Sequence, residues 1–146
     1  MAYPGINIAR LASKIQREPF LVSKPFTILH VGTNDVNSLS EDEIISDFNN
    51  LIAIVRRVSN TFLLVSSILP RPLDYEDTSD KVKNVNKQLK KLCGENHVRF
   101  LHSYRPFFEC GQPIRRLFAV RDGGLHLNTA GQNKLCSFFI NTVAHL

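Results

Sequence analysis

The sequence has few of the features that mark secreted, membrane-spanning or metal-binding proteins. Its three cysteines are an odd and widely scattered set, so they predict neither a disulfide framework nor a zinc site. No apolar run approaches the roughly 20 residues that span a bilayer, and residues 1–5 lack the basic and apolar regions of a signal peptide. His, Cys and acidic residues show no ligand spacing, so we expect no metal or organic cofactor. A cytoplasmic protein without a membrane contact is predicted.

The length and composition are those of one globular domain. The chain has 146 residues, of which 43% are hydrophobic and 21% charged, and it contains no repeat or low-complexity tract. We therefore expect a single domain over residues 1–146 with a core of its own.

The net charge of +5 would favour an acidic partner. Much of it lies on one face of a predicted helix, at Lys81, Lys83, Lys87, Lys90 and Lys91. Such a run is typical of a solvated face, and it also allows a weak contact with nucleic acid, although no aromatic stacking platform is interleaved with it.

Helical and strand patterns alternate along the chain. The predicted order is helix, strand, helix, strand, helix, strand, loop and helix, which indicates parallel strands with helices on both faces. Helix starts are expected at Asn7, at the capping box Ser40–Glu43, at Thr78 or Ser79, and at Asn128 or Thr129. Strands are expected over 26–31, 61–69 and 98–102.

The first predicted strand ends in a polar turn, Gly32-Thr33-Asn34-Asp35. Ligands of open α/β sheets bind outside the carboxyl ends of such strands, so Asn34 lies where a substrate-facing amide is expected. The alternative is that Asn34 and Asp35 only close a turn and cap the next helix.

A second polar segment, Asp122-Gly123-Gly124-Leu125-His126, precedes the last helix. An acid in this position can orient the imidazole of His126 while its other nitrogen acts as a general base. Alternatively, Asp122 and Gly123 only build a turn and His126 packs ahead of the helix.

Together with Tyr3-Pro4-Gly5, these segments resemble the SGNH (GDSL-type) hydrolase family over essentially the whole chain. The run from Leu29 to Asp35 is the most specific part of the resemblance. The segments 66–71 and 126–131 also resemble that family. Their sequences are most similar to the esterase-like domains of animal retrotransposon-encoded proteins. The resemblance implies a three-layer α/β/α sandwich with a parallel, flavodoxin-like sheet.

The resemblance also implies roles for individual residues. His126 corresponds to the base, Asp122 to the triad acid, and Gly5 and Asn34 to oxyanion-hole donors of an enzyme that hydrolyses small carboxylic esters, such as acetyl esters. The family acid stands three residues before the histidine and Asp122 stands four, so either Gly123 is absorbed in the turn or it occupies the position of the acid.

The Gly-Asp-Ser block that supplies the family's nucleophile is absent from the sequence. We therefore expect a domain truncated at its N-terminus to about three strands, with no nucleophile and no esterase activity, whose first strand is an exposed edge open to self-association. The alternative is a non-catalytic relic of retrotransposon origin that binds a protein or a nucleic acid.

Overall fold

A computed structural model describes all residues from Met1 to Leu146. It contains four α-helices and five strands, and helices and strands alternate from α1 to β3. The elements are α1 (Ile8–Arg17), β1 (Phe26–Leu29), α2 (Glu41–Val58), β2 (Phe62–Ser66), α3 (Tyr75–Glu95), β3 (Arg99–Leu101), β4 (Phe108–Glu109), β5 (Gln112–Pro113) and α4 (Thr129–Ala144).

The main sheet is parallel, with the order β1-β2-β3. β2 lies in the centre with a strand on both sides, and it is buried from Leu63 to Ser66. β1 has a strand neighbour on one side only, and it pairs with β2 in the register Phe26↔Phe62 to Leu29↔Val65. The predicted α/β class with a three-stranded parallel sheet is confirmed.

The chain forms two compact units. The first comprises residues 1–68 and 80–101, and the second comprises residues 69–79 and 102–146. In the first unit α1 packs on α2, and both helices contribute apolar side chains to a core with the sheet. Its largest fully buried side chains are Ile8, Ile15, Ile44, Phe48, Leu51, Ile52, Leu64, Ile68 and Leu89.

The second unit has a smaller core. It contains Leu69, Phe107, Ile114, Leu117, Phe118 and Leu135, with Leu127 and Phe139 packed against it. The short antiparallel pair β4–β5 lies in the segment 103–121, which the sequence predicted to be irregular.

Three predicted helix starts are correct, and each has the expected cap. Asn7 accepts from the Arg10 N–H at 2.8 Å, the Ser40–Glu43 capping box is complete, and Asn128 accepts from the Gly131 N–H at 2.9 Å. The prediction that α3 starts at Thr78 or Ser79 is wrong, because a turn of 3₁₀-helix at Pro72–Asp74 leads directly into a helix from Tyr75.

The strands are shorter than predicted at their carboxyl ends. β1 ends at Leu29 rather than residue 31, β2 at Ser66 rather than residue 69, and β3 at Leu101 rather than residue 102. The residues that follow β1 lead into the turn Gly32–Asp35, which carries Asn34 of the candidate site.

Candidate active site

Asp122 and His126 form a hydrogen-bonded pair in the second unit. The Nδ1 atom of His126 lies 2.7 Å from Oδ2 of Asp122, and this carboxylate is the only hydrogen-bonding partner of the His126 ring within the chain. The side chains of His126 and Asp122 are 44% and 26% exposed. The Nε2 atom of His126 is therefore left for a ligand or for proton transfer.

The carboxylate of Asp122 also organises the backbone between the two residues. Oδ1 accepts from the N–H groups of Gly124 at 3.2 Å and Leu125 at 3.0 Å, and Oδ2 accepts from the N–H of His126 at 3.2 Å. Partial desolvation favours a higher pKa, but the hydrogen bonds from the His126 ring and from these three N–H groups lower the pKa of Asp122 to about 2. The acid is therefore ionised at neutral pH.

The segment around this pair is closed on itself. The Ala119 N–H donates to His126 O at 2.8 Å, the Gly124 N–H to Ala119 O at 3.0 Å, and the Asn128 N–H to Leu117 O at 3.1 Å. Asn128 then caps α4. His126 is thus held between a loop with internal backbone hydrogen bonds and the start of α4.

Gly5 and Asn34 come together in the first unit. Nδ2 of Asn34 donates to the carbonyl oxygen of Ile6 at 3.1 Å, which fixes the amide beside the Tyr3–Ile6 turn. Gly5 lies in this turn with φ +76°, is exposed, and donates no hydrogen bond from its own N–H to another protein group. An amide nitrogen carries two protons, so one proton of Asn34 remains for a ligand.

The turn that carries Asn34 is held by close packing and by a buried acid. Gly32 has φ +123°, and a Cβ there would lie 2.9 Å from Cδ1 of Ile68. Asp35 is 3% exposed, and its Oδ2 accepts from the N–H of Ile8 at 3.0 Å. Asp35 therefore caps the start of α1, and not the helix that follows it in the sequence.

Another histidine, His30, lies in contact with Ser66 at the carboxyl end of the sheet, and the sequence did not predict this contact. Nδ1 of His30 is 2.9 Å from Oγ of Ser66, and desolvation lowers the pKa of His30 to about 4 although part of the side chain is exposed. Ser66 is 0% exposed and Ser67 is also buried. Neither hydroxyl is therefore accessible to a substrate from the surface.

The structure contains neither a metal-binding cluster nor a membrane-spanning helix. No group of three or more His, Cys, Asp or Glu side chains is placed to hold a metal ion. None of the helices is both long and apolar enough to cross a membrane.

Comparisons with known proteins identify the family of the chain. The family profile of the GDSL-like lipases and acylhydrolases matches residues 2–134. No curated protein sequence matches the chain.

Several solved structures share the fold. A lipolytic G-D-S-L family protein from Veillonella parvula superposes with a TM-score of 0.81 at 20% identity, covering 97% of this chain and 77% of that one. The OSK domain of Drosophila Oskar gives 0.75 at 17% identity, with coverages of 92% and 69%. The esterase domain of the ORF1 protein from the zebrafish ZfL2-1 retrotransposon gives 0.61 at 28% identity, with coverages of 99% and 83%.

Proposed function

Because this chain belongs to the GDSL-like lipase/acylhydrolase family, we propose that Asp122 and His126 are the proton-accepting half of a carboxylic-ester hydrolase site. The observation that carries the proposal is the 2.7 Å contact between His126 Nδ1 and Asp122 Oδ2. An ionised acid on Nδ1 holds the proton there and leaves Nε2 as the base. It also stabilises the imidazolium that forms when Nε2 takes a proton.

Gly5 and Asn34 are proposed as donors to the oxyanion of the tetrahedral intermediate. Their support is that Gly5 presents an unpaired N–H and that Asn34 is anchored by one amide proton while the other remains available. Each donor aimed at developing charge in a dry site contributes roughly 3 kcal/mol to the stability of the transition state. We propose small esters, of acetyl type, as the substrate class.

The family reaction needs a hydroxyl nucleophile. A serine oxygen attacks the acyl carbon while its proton passes to Nε2 of His126, and the same proton then goes to the leaving alcohol; water releases the acyl group by the same two steps. The sequence contains no Gly-Asp-Ser block, and Ser66 and Ser67 are buried. We therefore propose that residues 1–146 alone do not hydrolyse esters.

The test is hydrolysis of a chromogenic acetate ester by the chain and by its His126→Ala variant. We expect equal, background rates for both. His145→Ala is the matched control, because His145 is also exposed but bonds only to the Asn141 carbonyl oxygen. Turnover that disappears in His126→Ala and persists in His145→Ala would overturn the proposal that residues 1–146 alone are inactive, because it would show that His126 activates a nucleophile within the chain or a water molecule.

The Asp122–His126 pair is tested independently of turnover by ¹⁵N NMR of the histidine rings. We expect the neutral ring of His126 to carry its proton on Nδ1, and we expect Asp122→Ala to abolish this preference. A neutral ring protonated mainly on Nε2 in the unmodified protein would contradict the proposed base.

A second candidate is a non-catalytic domain that binds nucleic acid, and the charge of α3 favours it. Lys83, Lys87 and Lys90 are exposed and lie on one face at a spacing of three and four residues. Three phosphate contacts to a single strand predict a salt slope, in log K against log salt, of about −2. Replacing the three lysines by glutamine should remove this slope, and replacing Arg10, Lys14 and Arg17 on α1 is the matched control. Absence of binding at low salt would exclude this candidate.

We also propose a reducing, cytoplasmic location. It is supported by the three cysteines, all of which are free thiols.

A further inference from the structure

The loop between Asp122 and His126 rests on a neighbouring segment of the second unit. Gly123 and Gly124 have φ +74° and +99°, and a Cβ on Gly123 would lie 2.6 Å from Cδ1 of Leu73. A Cβ on Gly124 would lie 2.8 Å from Cβ of Pro72, and the Leu73 N–H donates to Gly124 O at 3.3 Å. Pro72 and Leu73 therefore form a ledge against which the glycine turn is packed without free space.

The ledge is held in shape by an ion pair that spans it. Nε and Nη2 of Arg71 donate to the two carboxylate oxygens of Asp74 at 2.9 and 2.8 Å. The Asp74 N–H donates back to Arg71 O at 3.3 Å, and Oγ1 of Thr78 donates to Asp74 at 3.0 Å. This two-point pairing fixes both ends of the Pro72–Leu73 ledge.

The ion pair is protected from water on the arginine side. Arg71 is only 4% exposed, whereas Asp74 is 18% exposed. Removing one partner of a buried pair leaves a charge without compensation, so the geometry between Arg71 and Asp74 is costly to change. A second arginine, Arg115, donates from Nη1 to Pro72 O at 3.2 Å and supports the same ledge.

We propose that Arg71 is a positioning residue for the His126–Asp122 pair, acting through Asp74 and the Pro72–Leu73 ledge on the Gly123–Gly124 turn. The turn determines where the N–H groups of Gly124 and Leu125 point, and these groups hold the carboxylate of Asp122. A looser ledge therefore releases the carboxylate and, with it, the imidazole. The inference rests on the proposed role of His126 as a base, but its test reads the geometry of the pair and not ester hydrolysis.

The experiment uses Arg71→Met and Arg71→Lys in the full chain, with the pKa of Asp122 followed by ¹³C NMR of its carboxyl group. In Arg71→Met we expect the pKa of Asp122 to rise from about 2 toward its ordinary value of about 3.9, and the Nδ1 proton of His126 to exchange faster with water. Arg71→Lys keeps the charge without the two-point geometry, so an intermediate shift is expected.

The control for a merely structural effect is Phe107→Leu, which loosens the core of the second unit and leaves every hydrogen bond and ion pair of the ledge in place. This variant should lower the melting temperature and leave the pKa of Asp122 unchanged. If Arg71→Met does not fold, Leu73→Ala replaces it, because Leu73 is half-exposed and still contacts the turn. An unchanged pKa of Asp122 in the folded Arg71 or Leu73 variants, or an equal shift in Phe107→Leu, would overturn the proposal.

Discussion

The carboxylate of Asp122 accepts four hydrogen bonds from a segment only five residues long. These bonds favour the ionised form, so the pKa is about 2 in the folded chain and about 3.9 in the unfolded chain. A lowered pKa means that the contribution to stability is complete above the unfolded value. It is lost as the pH falls through the folded value.

Replacing Asp122 by alanine should therefore destabilise the protein in a pH-dependent manner. We expect a loss of about 1 kcal/mol at pH 6, similar to that of a helix cap, since the same kind of backbone N–H groups lose their acceptor. The difference from the unmodified protein should shrink between about pH 4 and pH 2. Urea unfolding over this range measures it, with the exposed Asp80→Ala as control; a difference that does not change with pH would contradict the assignment.

Asp35 differs from Asp122 in that it is buried and its pKa is raised. It is buried, and its pKa is raised by desolvation and by the charge of Asp47, while the hydrogen bond from Ile8 opposes that rise. Its alanine variant leaves the Ile8 N–H at the start of α1 without an acceptor, so we expect a cost of about 1–3 kcal/mol in urea unfolding. Asp35→Asn retains an acceptor oxygen and should recover most of the loss. Equal losses in both variants would show that the hydrogen bond is not the cause.

At the scale of elements, the helix starts that carry a polar cap could be predicted from the sequence. The start of α3 could not be predicted in this way. Asn7, Ser40 and Asn128 accept hydrogen bonds from the first turns of their helices. Thr78 resembles such a cap, but its hydroxyl donates to Asp74 O, four residues earlier, from inside a helix. The 3₁₀ turn at Pro72–Asp74 precedes the helix without a side-chain cap, so the local sequence carries no signal for the true start.

The capping box of α2 provides a direct measure of how much such a cap contributes. Ser40→Ala removes the acceptor for the Glu43 N–H, and we expect a loss of about 1 kcal/mol in the free energy of unfolding. Ser46→Ala is the matched control, because Ser46 is exposed in the interior of the same helix and alanine is favoured there. If the two variants have equal stability, the box contributes nothing to the helix.

At the scale of the whole molecule, residue spacing predicts a contact of the candidate site only where the residues stand within a few positions of each other; Gly5 and Asn34, which are distant in sequence, were named from the family resemblance. The pairing of Asp122 with His126 follows from a separation of four residues and a flexible Gly-Gly between them. The proposed effect of the Arg71–Asp74 ion pair could not be predicted, because it concerns a loop about fifty residues further along the chain. The contact between His30 and Ser66 likewise joins the residue after β1 to the last residue of β2, and it depends on the register of the sheet, in which Leu29 pairs with Val65.

β1 forms one edge of the main sheet. Natural edge strands are blunted by lysine, proline, bulges or a covering segment, because their unpaired N–H and C=O groups can pair with another chain. β1 has a strand neighbour on one side only, and the run from Phe26 to Asn34 contains no charged side chain. Phe26 is 45% exposed, and its ring lies 5.6 Å from that of Phe62, which is also exposed, at an interplanar angle of 56°. These features favour pairing between copies of the chain.

We therefore expect the protein to associate in a concentration-dependent manner, as measured by sedimentation velocity. Phe26→Lys should weaken this association at least several-fold, because a charge on the edge must be desolvated when a second strand pairs with it. Phe20→Lys is the matched control, since Phe20 is an exposed aromatic residue outside the strand. A monomeric protein at all concentrations, or equal weakening by both variants, would show that β1 is not the associating edge; a selective effect of Phe26→Lys would locate the contact on it.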